Sequence, residues 1–300
     1  MEKDLVSVII PFYNKIEWLC EAVDSVLSQS YPNVEIVVIN DGSTEDMSVF
    51  TEKYSDQIIY KYQENRGAAA ARNVGIEICT GEYVAFLDAD DLWYPDKLET
   101  QIYLMKKNNA YWSHSSYVTF NKEKKLDKII EVSNYGGDVF PITIISNPIA
   151  TPCVVAKSEI FKGNDNFRFD ETMTYGEDTI LWLKISMLYT LLAIDKTLVK
   201  VRIRGSNAAL SAYAQLKARA EIWGKIKSEK IFEYNRVLSI NARLAFRYCS
   251  FFYRIIEHCE KKLNKSSIEF VTKVVYFVPW LTFKSEKKKY DFVRSIRRSA

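Results

Sequence analysis

The sequence has no cysteine pair at metal-site or redox-motif spacing. Its five cysteines (Cys20, Cys79, Cys153, Cys249 and Cys259) are odd in number and scattered. That argues against a disulfide framework and a zinc site, and suits a reducing compartment. Histidine is scarce: His114 and His258 stand outside any motif and read as structural. No GxGxxG follows the first apolar run and no GxxxxGKS/T occurs, which disfavours a dinucleotide loop and a P-loop. No apolar run approaches the roughly 18 residues of a membrane-spanning helix. "LVSVII", preceded by Glu2 and Asp4, is too short for a signal-peptide core. The expected location is therefore cytoplasmic. A net charge of +3 over 300 residues excludes bulk electrostatic nucleic-acid binding, and no nucleic-acid module is recognisable.

What is present is an alternation. Residues 5–10 (LVSVII), 34–39 (VEIVVI), 57–62 (QIIYKY) and 83–87 (YVAFL) are β-rich runs, and helical patterns cover about 15–29, 45–54 and 67–78. Apolar strands alternating with helices predict an α/β domain with a mainly parallel sheet covered on both faces. In such sheets ligands bind beyond the carboxyl ends of the strands. Those ends are polar here: Pro11-Phe12-Tyr13-Asn14, Asn40-Asp41-Gly42-Ser43, Glu64-Asn65-Arg66-Gly67 and Asp88-Ala89-Asp90-Asp91. Further strands are expected within 111–120, 152–156 and 190–203, and a helix over 176–188 opened by Gly-Glu-Asp.

The fourth strand end puts three carboxylates within four positions. Such crowding is costly unless water or positive charge compensates it. In an extended stretch, Asp88 and Asp90 point the same way. Together they offer hard oxygens to Mg²⁺ or Mn²⁺, which can bridge a diphosphate. The plain alternative is a solvated turn with Asp91 capping the next helix. Tyr13 can stack on a base and Asp41 can accept a hydrogen bond from a base or sugar edge. Arg66 and Arg72 can serve a phosphate or base edge, although Arg72 can equally pair with a carboxylate.

"VSVIIPFYN", "VEIVVINDGSTED", "NRGAAAARNVGIEICTGEYVAFLDADD" and "YGEDTILWLK" occur in this order between about residues 4 and 205. Together they resemble the family 2 glycosyltransferases. The resemblance implies the GT-A fold, a mixed, mainly parallel sheet flanked by helices, with inverting transfer from a nucleotide sugar, expected to be UDP-linked, and a divalent metal, Mn²⁺ or Mg²⁺. It places Pro11, Tyr13, Asp41 and Arg72 at the base, Asp88 near the ribose and Asp90 on the metal. Asn14, Arg66 and Ala89 complete the donor side. The Asp of the GED motif, Asp178, corresponds to the general base, with Glu177 orienting the acceptor or acting as the base itself. By charge alone, both simply favour a helix N-terminus. Relatives often carry a histidine where this chain has Arg204. Arginine is no ordinary metal ligand but can pair with a diphosphate. Arg202 reads as a strand-surface charge.

A catalytic domain over 1–210 and a helical, basic region over 211–300 are expected. Residues 254–300 hold 12 Lys+Arg against 5 Asp+Glu, a net of +7, so the first 253 residues carry −4. The apolar run 274–283 and the bases Lys287, Lys288, Lys289, Arg294, Arg297 and Arg298 suit an anionic membrane surface, or else a helical cap with solvated bases. The expected partners are a nucleotide-sugar donor and a lipid-linked or oligosaccharide acceptor of surface polysaccharide, such as O-antigen or capsule. The competing readings are a non-catalytic nucleotide-sugar-binding protein and a nucleotidyltransferase. The second wants a glycine- and lysine-rich start after the first strand, which "PFYNK" is not.

Overall fold

The computed structural model describes residues 1–121, 128–163, 167–204, 211–259 and 264–299, with the side chains of 235, 265 and 292–299 outside that description. Residues 205–210 of the basic motif and the side chains of Arg294, Arg297 and Arg298 therefore lie outside the described residues.

The chain divides into two compact units. The first is Met1–Val139, Pro148–Glu171 and Lys184–Arg204, and the second is Phe140–Asn147, Thr172–Leu183 and Gly205–Ala300. The sequence suggests a single cut near 205–212. The structure places that cut after Arg204 but also assigns two earlier segments to the helical unit. The reason is apolar packing. Ile144, Ile145, Met173, Ile180 and Leu183 share a core with Leu216, Trp223, Phe246 and Phe283. Glu177 and Asp178, expected in a catalytic domain over 1–210, thus belong to the second unit.

In the first unit the strands β1 (Glu2–Phe12), β2 (Val34–Asp41), β3 (Ile59–Gln63) and β4 (Gly81–Phe86) alternate with the helices α1 (Ile16–Leu27), α2 (Ser48–Tyr54) and α3 (Ala68–Ile78). The four strands pair in parallel in the order β3-β2-β1-β4. After β5 (Leu92–Trp93), α4 (Lys97–Lys107), β6 (Trp112–Phe120) and β7 (Lys128–Ile130) come the short helix α5 (Ile142–Ile145), β8 (Val155–Lys157) and α6 (Glu159–Lys162). Helix α7 (Glu177–Ser186) then leads to β9 (Leu191–Arg202). The sheet continues from β4 through β8, β6, β9 and β5, with β7 beside β6. β8 runs antiparallel to β4 and β6, whereas β6 and β9 are parallel, so the sheet is mixed. The expected strand at 152–156 is shorter and later, because Thr151–Cys153 forms a 3₁₀ turn.

Alternation along β1 sends Val6, Val8 and Ile10 into one core with Leu19, Val23 and Val26 of α1 and Leu98 and Ile102 of α4. On the other face, α3 approaches so closely that a Cβ on Gly75 would meet the Ile9 Cγ2 at 2.4 Å. Phe86 meets Phe169 edge to face, with centroids 5.3 Å apart. His114 is buried, its Nε2 2.7 Å from the Tyr135 carbonyl oxygen, and burial pushes its pKa down to about 4. That is a structural role, as the sequence suggests.

The second unit is helical: beside α5 and most of α7 it holds α8 (Ala212–Ser228), α9 (Tyr234–Val237), α10 (Ile240–Cys259) and α11 (Lys265–Ser299). The apolar run 274–283 is a middle segment of α11.

Helix α4 buries Lys97 completely, with Nζ 4.0 Å from the Trp93 ring centroid and without a hydrogen-bond partner among the described residues. Burial pushes its pKa down to about 7. The amine is then protonated in the unfolded chain and largely neutral in the fold between about pH 7 and 10.5, so its contribution to stability improves as pH rises through that window. Lys97→Met should raise the unfolding free energy at pH 7 by on the order of 4 kcal/mol and flatten the rise toward pH 10. Urea denaturation of both proteins at several pH values checks this. Equal stability at pH 7 would mean that the ammonium finds solvent.

Candidate active site

The four parallel strands deliver their carboxyl ends to one edge of the sheet. Register pairs Phe12 with Asn40, Asp41 with Gln63, and Ile9 with Phe86. At this edge lies a cavity of about 330 Å³. Its walls are Pro11, Phe12, Tyr13 and Asn14 after β1, Trp18 of α1, Asp41 of β2, Ala68 and Arg72 of α3, Asp88, Ala89 and Asp90 after β4, and Arg204 after β9.

Each wall has a local cause. Beyond β1, the Glu45 carboxylate accepts the Lys15 and Ile16 N–H groups at 2.7 and 2.8 Å. It satisfies otherwise orphaned donors at the start of α1 and fixes the turn that presents Tyr13 and Asn14. Asp41 is buried, and its Oδ1 accepts from Gln63 Nε2 and Arg66 N, its Oδ2 from Gly67 N. One carboxylate thereby holds the whole 63–67 loop. Gly42, at φ 75°, allows that loop in: a Cβ there would lie 2.6 Å from Asn65 N.

Each carboxylate of the Asp88–Asp91 turn has its own arginine. The Arg72 Nη2 donates to Asp88 Oδ1 at 2.6 Å, with the guanidinium buried and its Cζ 5.2 Å from the Phe169 centroid. The Arg204 Nε lies 3.0 Å from Asp90 Oδ2. Asp91 accepts the Arg202 backbone N–H at 2.8 Å, while the Arg202 side chain donates to the Asp90 carbonyl and to Glu21. Burial pushes the Asp90 carboxyl up, Asp88 adds to this, and Arg204 pulls the other way. Burial pushes Asp91 well up.

Several expectations need correcting. Residues 88–91 are not extended: the Asp91 N–H bonds the Asp88 carbonyl at 3.0 Å and closes a turn. Asp88 and Asp90 nonetheless both line the cavity, because Asp91 alone turns inward. Asp91 caps no helix, since Asp96 occupies the position before α4. Arg202 is a buried ion-pair partner and not a surface charge, because Glu21 and the 90–91 turn surround its guanidinium. Arg66 is absent from the cavity wall. Its side chain is drawn to Glu171 at 2.5 Å, and only its backbone serves the site, through Asp41. Arg72 takes the carboxylate-pairing alternative and still lines the cavity.

Trp18 escapes sequence reasoning as a site residue, and Phe12 enters it only as part of the polar end of β1. Trp18 sits on the helix that follows the first polar strand end, where an aromatic residue in the opening turn could have flagged it. Glu177 and Asp178 form the first turn of α7, where the Asp178 Oδ1 accepts the Thr179 N–H at 2.6 Å. That is the helix N-terminal position that charge alone suggests. The residues lining the cavity are all of the first unit.

Among the described residues no group of three His, Cys, Asp or Glu is placed to hold a metal ion. Two carboxylates with water and phosphate oxygens nevertheless suit Mg²⁺ or Mn²⁺, which seldom take an all-protein cage. Asp90 and Asp88 are hard oxygen donors on one cavity wall, and a cation would relieve the strain between them. The donor set therefore fits a divalent ion held by Asp90 with Asp88 beside it.

The family model described as Glycosyl transferase family 2 matches residues 7–155. A protein named an uncharacterized glycosyltransferase from Rickettsia bellii is 45% identical over 204 residues, 67% of this chain and 29% of its own length. The chain thus spans about a third or less of the length of this and similar Rickettsia relatives. The Escherichia coli protein named UDP-Glc:alpha-D-GlcNAc-diphosphoundecaprenol beta-1,3-glucosyltransferase WfaP is 31% identical over 265 residues, 85% of this chain and 96% of its own length. The crystal structure of S. aureus TarS 1–349 in complex with UDP-GlcNAc superposes with a TM-score of 0.62 at 19% identity, covering 93% of this chain and 80% of that one. This likeness shows a shared GT-A fold.

Asp41→Asn should loosen the 63–67 loop, because an amide presents N–H groups where the carboxylate accepts three donors. The expected loss is about 1–3 kcal/mol. Hydrogen exchange should show the Arg66 and Gly67 amides losing protection more than the β1 and β2 amides do. Unchanged protection there would show that the loop is held by other contacts.

Proposed function

The chain belongs to glycosyl transferase family 2, and we propose that it transfers a sugar from a UDP-linked donor to a hydroxyl of a lipid-linked or oligosaccharide acceptor in surface-polysaccharide synthesis. The observation that carries this reading is the meeting of the ends of β1, β2 and β4 on one cavity, which brings Tyr13, Asp41, Asp88 and Asp90 together from positions far apart in sequence. The name of the E. coli relative, with its UDP-glucose donor and diphosphoundecaprenol-linked acceptor, supports the choice of donor and acceptor class. Such an acceptor is presented at the inner face of the cytoplasmic membrane, where we place the protein as a peripheral component. The transferred sugar is a hexose or N-acetylhexosamine.

In this reading the exposed Tyr13 ring stacks on the base at the cavity mouth. Asp41 uses its remaining lone pairs on a base N–H. Asp88, held by Arg72, receives the ribose hydroxyls. Arg204, at the cavity wall, pairs with the departing diphosphate. Bound Mn²⁺ or Mg²⁺, held by Asp90, would supply charge neutralisation for that leaving group. Asp178 takes the proton from the attacking hydroxyl, with Glu177 beside it orienting the acceptor, and a single in-line displacement inverts the anomeric centre. This assignment rests on the position of the GED motif.

Asp90→Ala should lower UDP release from UDP-glucose or UDP-GlcNAc by at least about 10²-fold without unfolding the domain. EDTA should inhibit the wild type to a similar degree, and Mn²⁺ should restore it. Full activity in EDTA would falsify the metal assignment.

Asp178→Asn should lower kcat by about 10²-fold or more. Calorimetric titration with UDP should give the wild-type affinity, because the nucleotide contacts come from the first unit. If UDP affinity collapses while kcat stays normal, Asp178 belongs to donor binding. A wild-type chain that binds UDP and transfers no sugar with any donor would favour the non-catalytic reading.

A further inference from the structure

An amphipathic helix needs one apolar stripe to dock on its own domain. Helices α10 and α11 have two each. Along α10 the buried stripe includes Ala242, Phe246, Cys249 and Tyr253. Ile240, Leu244, Phe251 and Ile255 recur at helical spacing on the opposite side and are exposed. Along α11 the buried stripe includes Ile268, Thr272, Tyr276 and Phe283, whereas Phe270, Val274, Phe277, Val278 and Leu281 face outward. These outward side chains are between 43 and 69% exposed.

The two outward stripes adjoin. The helices run antiparallel, as the Ser239–Glu286 hydrogen bond at one end and the Phe246–Phe283 ring contact further along require. An apolar groove of about 470 Å³ between them is lined by Leu244 and Tyr248 of α10 and by Val278 and Leu281 of α11. Contiguous apolar surface of this kind marks an interaction site.

The charge around this face identifies its occupant. From Ile240 to Ile256, α10 carries three arginines and no acid. Arg247 and Arg254 are exposed and sit beside the outward stripe. On α11 the stripe runs on past Leu281 into the exposed Lys284 and Lys288, and the exposed Lys273 flanks it about two turns before Leu281. The acids of this stretch are already engaged. Glu269 accepts from Ser211 and Ala212, and buried Glu286 accepts from Ser239 and Lys289. Lys273, Lys284 and Lys287 also line a pocket of about 540 Å³ with Tyr276 and Trp280. That pocket is wide enough for a phosphate headgroup. A second copy of this chain is a poor occupant, since a two-fold contact would set the bases of one copy against those of the other. No helix among the described residues is long and apolar enough to cross a membrane.

We propose that the helical unit lies on an anionic phospholipid surface through the outward apolar faces of α10 and α11, with the lysine pocket seating a lipid phosphate. The aromatic and aliphatic side chains enter the headgroup–acyl boundary, and the bases pair with phosphates at its level. Lys287 and Lys289 contribute less than their place in the lysine run suggests, because Asp291 and Glu286 pair with them. The inference deepens the peripheral placement given above and does not depend on sugar transfer.

Flotation of the full chain with vesicles tests it without any activity assay. The wild type should float with vesicles of equal parts phosphatidylglycerol and phosphatidylcholine at low salt, and only weakly with phosphatidylcholine alone. Phe251→Ser/Phe277→Ser/Leu281→Ser should cut the partition coefficient about tenfold or more with an unchanged or higher unfolding midpoint, since these side chains are already exposed. Lys273→Gln/Lys284→Gln/Lys288→Gln should erase the preference for anionic vesicles, and high salt should mimic it. Wild-type protein left in the bottom fraction with anionic vesicles would overturn the proposal. So would equal flotation of the triple-serine variant. A wild-type dimer in light scattering that the triple-serine variant converts to monomer, without vesicle binding by either, would assign the face to a second copy.

Discussion

Three carboxylates within four residues must be compensated, and the way they are compensated organises the first unit. Arg72 comes from α3 to Asp88, Arg204 from beyond β9 to Asp90, and the Arg202 amide from the end of β9 to Asp91. These partners lie 16, 114 and 111 residues away along the chain. Tying them to one turn fastens β4, α3 and β9 together at the edge where the cavity opens. Coulomb attraction between partly buried partners is strong only when the geometry is good and leftover donors are used. The Arg202 side chain meets that condition by bonding the Asp90 carbonyl and Glu21 and lying 5.1 Å from the Trp18 centroid. Burial and the neighbouring Asp88 push the Asp90 carboxyl up, against the pull of Arg204.

At the same edge the polar loops are held by side-chain hydrogen bonds and not by a glycine-rich phosphate loop. Asp41 anchors 63–67, Glu45 anchors 15–16, and Asn40 accepts the Ser43 N–H while donating to the Tyr60 hydroxyl. Each anchor is a short acidic or amide side chain satisfying backbone N–H groups of a neighbouring loop. The loops beyond β1, β2 and β3 thus hold one another, and Tyr13, Asn14 and Asp41 take their positions from that bonding. The second unit obeys a different rule. Its helices bury one stripe each in a core of Trp223, Phe246 and Phe283 and leave a second stripe outside.

Much of the first unit is legible in the sequence because its signals are local. Apolar runs of five or six residues bounded by polar clusters mark β1, β2 and β4, and the spacing of Trp18, Leu19, Ala22, Val23 and Val26 marks α1. The carboxyl-end rule then gathers Tyr13, Asp41 and Asp88 at one edge before any coordinate is known. Glu177 and Asp178 are legible as a motif on a helix start, though not as members of the second unit. The middle of the chain is harder: Thr151–Cys153 is a 3₁₀ turn within an expected strand, because Pro152 suits the start of a short helix.

What the sequence by itself determined is the periodicity of each element, the polar character of each strand end and the apolar run 274–283 followed by bases. Tertiary structure alone decided which charges meet. It sent Arg66 to Glu171 and away from the cavity, turned Asp91 inward while Asp88 and Asp90 stayed at the wall, and moved 140–147 and 172–183 into the helical core. The physical reason is range. Backbone preference and amphipathic period act over a few residues, whereas an ion pair or a packed cluster joins whatever side chains the folded chain brings within a few ångströms.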